Sequence, residues 1–447
     1  MISNKHIEWR KKKLEDFRCK LESGQLNALR ELLPNKVIEQ ACEDSQFYFR
    51  TRLLTPLVTV FHMIGAALTK EGSFQSAWHL TGQSGRTGAL ARARKRVSVE
   101  VWERIGKWIL RQTDHEFQAE ENRWRGHRII GVDGTCISMS DKPLLAEHFG
   151  RCNTKHGYSR FPTARVALAF NLKTFLTVGH KIGHYTTTEM SLFQGFMGSL
   201  QKGDVLILDR RFVGTNLYAM YQAAGFEFIT RLHHRRKWDS LKIIQRFDEN
   251  DFLVEMPFSP QHRTQEQVLI QVRIIKADVK VRGKKETFWL VTSLLNPSEY
   301  PAHEIKSWYK SRWKVETLIE ELKIWLGSDV LRSQSPAGIY KELHARVIAM
   351  NLIHWLILKA SAQYCLERNL VSFSASVRLA SSYSLKMSTA PAWRLPLLYE
   401  ELLEQIGRSK IYSRPDRLEP RMVKRDDKHY PQLKIPRQEW RHYACAA

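Results

Sequence analysis

The chain has no cysteines spaced as C-x-x-C: its six, Cys19, Cys42, Cys136, Cys152, Cys365 and Cys445, are scattered. That pattern supports neither a disulfide framework nor a cysteine-built zinc site, and it fits a reducing compartment. Long hydrophobic runs are missing too. The two longest, 53–68 and 347–360, are interrupted by Pro56 and His62 or by Asn351 and His354. They are too short and too polar to span a bilayer, and read as buried or partner-facing helices. Residues 1–10 are polar and charged, unlike a signal peptide, so a cytoplasmic protein with no membrane partner is expected. No internal repeat is visible. Acidic residues are in deficit, 46 against 70 Lys and Arg, which gives a formal charge of +24 and a pI of about 9.8. Such a balance favours a polyanionic partner, nucleic acid being the simplest, over a basic protein with no such partner. The 447 residues are enough for two or three domains with real cores.

Residues 1–125 read as helical, with periodicity around 5–32, 36–47, 51–69 and 99–120. Between the last two, 81–88 reads as a loop leading into a basic helix at 89–96, which suits either a DNA groove or plain exposure. From Gly126 the character changes. Residues 127–133 read as a buried strand, 164–171 and 174–182 as a hairpin, 187–200 as a helix, 204–208 as a strand, 217–224 as a helix and 226–231 as a strand. This order predicts a mixed α/β sheet. Residues 232–285 form a basic, β-rich insertion, and a core strand returns at 288–295. The chain is helical again after Ser335-Pro336 to about 406, and 407–447 is a basic, proline-rich tail. The expected domains are 1–125, 126–335 (with the 232–285 insertion) and 336–447.

Residues 304–326 carry a helical pattern without Pro or Gly. At about 100° per residue, Arg312, Glu316 and Lys323 fall within about 60° of Tyr309, while Val315, Leu318, Ile319 and Leu322 share another face. The stripe reads either as a solvated face with i,i+4 ion pairs or as a carboxylate set among phosphate-binding groups. Two further carboxylates stand at expected strand ends: Asp133, followed by Gly134-Thr135, and Asp209, followed by Arg210-Arg211. Each alone also reads as a turn or capping residue. Jointly with Glu316 they would make a cage of hard oxygen ligands for two Mg²⁺ ions, suited to in-line phosphodiester chemistry. Glu320 is the local rival to Glu316, and Asp141 and Asp204 are rivals for the first two positions.

The Tyr-x2-Arg-x3-Glu-x6-Lys spacing at 309, 312, 316 and 323, with Val132-Asp133-Gly134 and Leu208-Asp209-Arg210 before it in order, resembles bacterial DDE transposases of the insertion-sequence-four family over residues 126–330. The resemblance implies an RNase H-like mixed-sheet catalytic core with a β-rich insertion, flanked by helical N- and C-terminal regions. It implies Asp133, Asp209 and Glu316 as ligands of two Mg²⁺ ions, with Mn²⁺ able to substitute. Tyr309, Arg312, Lys323 and Arg210 would contact DNA, and Trp289 would stack on a flipped base unless it only packs in the core. The implied partners are inverted-repeat element ends and target DNA, with a homodimer assembled on the ends in the bacterial nucleoid. The sequence departs from the family in Arg211, where a small residue is common. Two other readings stay open: an inactive or repurposed DNA-binding relative, and an RNase H-like nuclease with another substrate.

Overall fold

The computed structural model describes residues 27–47, 54–69, 74–75, 77, 87–118, 120–154, 157–233, 236–258, 269–281 and 284–411. The start of the helix expected at 5–32, most of the 81–88 loop and the proline-rich tail beyond residue 411 lie outside the described residues.

The described strands, in chain order, are β1 (Ile129–Met139), β2 (Asn153–Thr154), β3 (Gly157–Tyr158), β4 (Thr163–Asn171), β5 (Thr177–His184), β6 (Val205–Leu208), β7 (Glu227–Arg231), β8 (Lys242–Asp248), β9 (Asp251–Pro257), β10 (Leu269–Val281), β11 (Lys284–Thr292) and β12 (Val330–Leu331). All but the small β2–β3 hairpin join one sheet in the order β5-β4-β1-β6-β7-β11-β10-β9-β8, with β12 beside the far end of β1. Strand β4 runs antiparallel to both its neighbours, whereas β1, β6 and β7 are mutually parallel. This is the RNase H-like sheet, and the insertion strands β8–β10 extend it through β11, which pairs with β7.

The central strands read as continuous apolar runs because both faces of the sheet are covered. Ile129, Val205 and Ile207 belong to a core on one face, shared with the N- and C-terminal helices. Ile130, Val132, Leu206 and Leu208 belong to a second core on the other face, with Phe212, Tyr218 and Phe228. The Asn171 side chain closes the β4–β5 turn by accepting from the backbone N–H of Lys173 and Thr174.

The longest helix, Pro336–Gln363, starts with Ser335 accepting from Gly338 N–H and with Pro at its first position, a strong start signal. It packs on the Pro56–Leu68 and Val99–Glu116 helices and reaches the sheet, where Asn351 exchanges hydrogen bonds with the Thr177 backbone at 2.8 and 3.0 Å. Residues 347–360 are almost wholly buried inside the chain, so they are core and present no face to a partner. Lys341 Nζ donates to the carbonyls of Arg94, Lys95 and Val97. It thereby caps the basic Thr87–Arg96 helix, whose last carbonyls would otherwise lack donors.

Three expectations are corrected. Strand β1 does not end at Asp133: its pairing with β4 continues to Ser138↔Thr163, so Asp133 lies mid-strand. The helix expected at 187–200 is the short Glu189–Gln194 helix followed by a 3-10 turn at Met197–Ser199. The helix expected at 304–326 is broken into Ala302–Lys310 and Trp313–Glu320, and its last turn is a π-helix, Glu321–Trp325. At the break the backbone bonds become i→i+3, from Arg312 N–H to Tyr309 and from Val315 N–H to Arg312, while the Ser311 hydroxyl donates to the Trp308 carbonyl at 2.6 Å. A side-chain hydroxyl competing for a helix carbonyl and a tighter local winding are sufficient physical cause.

Candidate active site

Strand register brings the first two carboxylates together. The β1–β6 pairing ends at Val132↔Leu208, so the next residue of each strand is Asp133 and Asp209, on chains about 4.8 Å apart. The β6–β7 pairing ends at Ile207↔Ile229; two residues further along the same register stand Asp209 and Arg231. A row Asp133–Asp209–Arg231 therefore crosses three strands.

The Trp313–Glu320 helix lies over this row. Its approach is set at Gly131, where a Cβ would stand 2.4 Å from Val315 Cγ2; only a glycine lets the helix come this close. Asp133, two residues on, projects from the same side of the strand. Arg312 Nη1 is 4.0 Å from Asp133 Oδ2, and Arg312 Nη2 is 3.3 Å from Glu316 Oε1. One guanidinium thus bridges the first and third candidate carboxylates. Glu316 is half exposed, at 47%.

The Asp133 carboxyl is held above the usual carboxylate range. Burial is the chief cause. The Gly134 N–H, donated to Oδ1 at 2.7 Å, and Arg312 pull the other way, and the charges of Glu189 and Asp209 push up again. Tyr309 does not lie on an open stripe: it is buried against Phe288, with ring centroids 5.8 Å apart. Burial pushes its phenol up to about 12, against the field of Arg312 and Arg231. Lys323 lies further along the site, its Nζ 3.0 Å from Asp329 and 3.3 Å from the Cys136 carbonyl. Trp289 is partly buried and stacks on Trp238 at 4.6 Å, with Phe252 at 5.7 Å, so in this conformation its ring is engaged by the insertion. Arg210 is exposed in the turn after Asp209. The departure at Arg211 has a partner, since its Nη1 donates to Glu189 Oε1 at 3.0 Å.

Two of the rivals are otherwise engaged. Asp204 forms a buried pair with Arg128 at 2.7 Å and Asp141 pairs with Arg151 at 2.7 Å; Glu320 is exposed, as Glu316 is, but makes no ion pair with Arg312 among the described residues. Two site residues escaped sequence reasoning. Arg231 caps a strand end much as Asp209 does; its guanidinium pairs with Glu286 at 2.8 Å and covers the Phe288 ring at 3.9 Å. Its signal was the charged residue closing an apolar strand. Glu189 touches the site from the other face, and nothing in its local sequence marks it.

Among the described residues, no three His, Cys, Asp or Glu side chains converge as ready metal ligands. The donor set nevertheless fits a hard divalent cation. Two carboxylates are adjacent in register, burial raises Asp133 with a smaller push from the neighbouring charges of Glu189 and Asp209, and a third carboxylate shares a cation, Arg312, with the first.

The sheet order, with β4 antiparallel between β5 and β1 and with β1, β6 and β7 parallel, is that of an RNase H-like fold. Residues 124–352, just over half of the chain, match the family described as Transposase DDE domain. The chain belongs to that family: it is a DDE-type transposase, an enzyme class that depends on divalent metal. It is similar to the transposase InsG for insertion sequence element IS4 of Escherichia coli (strain K12), with 23% identity over 314 residues that cover 69% of this chain and 70% of the relative. A solved structure of a piggyBac transposase synaptic complex with hairpin DNA superposes with a TM-score of 0.41 at 10% identity, over 85% of this chain and 84% of that one. No helix among the described residues is long and apolar enough to cross a membrane.

Proposed function

We propose that this transposase works by cut-and-paste, with Asp133, Asp209 and Glu316 as the ligands of two Mg²⁺ ions. The observation that carries the reading is the strand register that sets Asp133 beside Asp209, with Arg312 linking Asp133 to Glu316. The bound metal pair would activate the attacking oxygen and stabilise the leaving one. Arg312 grips a phosphate when it releases the two carboxylates, Tyr309 donates its phenolic proton to a phosphate oxygen, and Lys323 and Arg210 neutralise the strand on either side. Hydrolysis of one strand at the element end frees a 3′-OH, which attacks the opposite strand or the target. Trp289 serves as a base-stacking platform after it parts from Trp238.

The proposed division of labour gives 1–125 to DNA binding, 126–335 to chemistry and 336–447 to support. On the basic Thr87–Arg96 helix the exposed basic side chains are Arg92, Lys95 and Arg96, whereas Arg94 is stacked on Phe74 at 3.6 Å; the first three are the phosphate contacts. Inverted-repeat ends are the specific ligand, the assembly on them is a homodimer, and the host compartment is the nucleoid.

The test is cleavage of a supercoiled plasmid carrying the element's own ends, with and without Mg²⁺, by wild type and Glu316→Gln. Mg²⁺-dependent cuts at the ends that vanish in the mutant are expected. A folded wild type that binds the ends and never cuts them would favour a repurposed DNA-binding relative. Cuts independent of the end sequence would favour a general nuclease.

A further inference from the structure

The three-carboxylate reading leaves a fourth acid beside the site without a role. Glu189 opens the Glu189–Gln194 helix behind Thr188, whose hydroxyl accepts from Ser191 N–H at 3.1 Å. This helix covers the sheet face opposite the Trp313–Glu320 helix. The Glu189 side chain is only 10% exposed. Its Oε1 accepts from Arg211 at 3.0 Å, while its Oε2 is enclosed with no hydrogen-bond partner among the described residues. An enclosed carboxylate oxygen without a donor is costly, so a fold that keeps one calls for an explanation.

Its position is tied to both aspartates. A Cβ at Gly134 would stand 2.3 Å from Glu189 Cγ, 2.4 Å from Cδ and 2.7 Å from Oε1. The Glu189 carboxyl therefore lies against the residue whose N–H holds Asp133 Oδ1 at 2.7 Å. Its counter-ion, Arg211, is two residues beyond Asp209 in the turn that follows β6. The sheet is also open here. On the side of β6 and β12, β1 pairs up to Val132 and again from Ser138, and no described strand fills the gap. On that side a carboxylate from the far face meets no described ladder before the Asp133–Asp209 pair, while on its other side β1 stays paired with β4 as far as Ser138.

We propose that Glu189 is a fourth carboxylate of the metal site, admitted by Gly134 and the gap in the sheet and held by Arg211 when metal is absent. The inference rests on the three-carboxylate reading and extends it. Metal entry would exchange the single Arg211 contact for a divalent cation and give the enclosed Oε2 a partner. Arg211 then faces solvent, where it is already 68% exposed.

The test is Mn²⁺ binding to the full chain without DNA, followed by calorimetry and by the spin resonance of free Mn²⁺, for wild type, Asp209→Asn, Glu189→Gln and Arg211→Met. Loss of a group that holds or orients a metal typically lowers affinity about 10–100-fold, so Glu189→Gln is expected to weaken Mn²⁺ binding at least about tenfold. Arg211→Met, which frees Oε1, is expected to tighten it a few-fold. If Asp209→Asn weakens binding and folded Glu189→Gln matches wild type, the fourth carboxylate is overturned and Glu189 is only the ion-pair partner of Arg211. If Asp209→Asn also binds as wild type does, the three-carboxylate reading itself fails. Should Glu189→Gln not fold, Arg211→Met decides: unchanged or weaker Mn²⁺ affinity in that folded variant overturns the inference.

Discussion

Substituting Gly131 by Ala tests whether the close approach of helix to strand is what assembles the site. The new Cβ would stand 2.4 Å from Val315 Cγ2 and 2.9 and 3.2 Å from the two methyls of Leu172. Carbon atoms rest about 3.5–4.0 Å apart, so Val315 must retreat by more than about 1 Å. Leu172 follows β4 directly, its N–H bonded to the Ile129 carbonyl at 2.8 Å, and gives less readily. The Trp313–Glu320 helix is therefore the part that moves, and Glu316, one residue after Val315, moves with it away from Asp133. Overpacking of this kind costs roughly 1–3 kcal/mol of stability, which a chain of this size should survive. A displacement of about 1 Å in a reacting geometry costs about a hundredfold in rate. Single-turnover cleavage of end-containing DNA in Mg²⁺ should fall by about that factor, while end binding in EDTA changes little and the urea midpoint falls only by the equivalent of that stability cost. Adding Val315→Ala removes the clashing Cγ2, and the double mutant should regain most of the lost rate. A folded Gly131→Ala that cleaves at the wild-type rate, or a loss that Val315→Ala cannot rescue, would refute the reasoning.

Glu316→Gln should abolish cleavage and leave end binding intact, because it removes charge from the proposed metal cage but not the phosphate contacts; binding and cutting lost in parallel, measured by gel shift and plasmid relaxation, would argue against that role. Lys323→Ala should weaken end binding and flatten the slope of log affinity against log salt by about 0.9, the share of one phosphate contact, and an unchanged slope would mean Lys323 stays with Asp329. Stability should also depend on pH through the His180–His344 pair, whose ring nitrogens are 3.1 Å apart. Loss of hydration lowers both, His344 to about 4. The unfolded chain then takes up protons near 6.5 that the folded chain refuses, so this contribution is complete above about pH 6.5 and is lost as pH falls towards 4. For His344 the loss is roughly 2 kcal/mol by pH 5, and urea unfolding of His344→Phe at pH 7.5 and pH 5 should show a correspondingly smaller pH dependence.

What could be read from the chain and what could not divide along the range of the interactions involved. The runs 129–132 and 205–208 announce two-sided burial by composition alone, and the four buried residues Val315, Leu318, Ile319 and Leu322 follow from a period of 3.6. Strand order does not follow from composition. That Asp133 and Asp209 are neighbours depends on β6 pairing with β1 instead of the intervening β4 or β5, a choice made by non-local packing. The break at Ser311 was hidden for a different reason. Its residues suit a helix, and the departure is a local rewinding into i→i+3 bonds, stabilised by one serine hydroxyl. Glu189 was hidden most deeply, since it acquires its meaning from residues it reaches only through the sheet. Glycine offers the physical key to that class of residue. Gly131 and Gly134 sit on opposite faces of one strand, on either side of Asp133, and each is a place where a side chain from a covering helix touches backbone. A glycine within a buried strand costs stability by its missing side chain and added freedom. Two of them bracketing an acid at the end of an apolar run therefore mark where something must approach from each side: from one, the helix that carries Glu316, and from the other, Glu189.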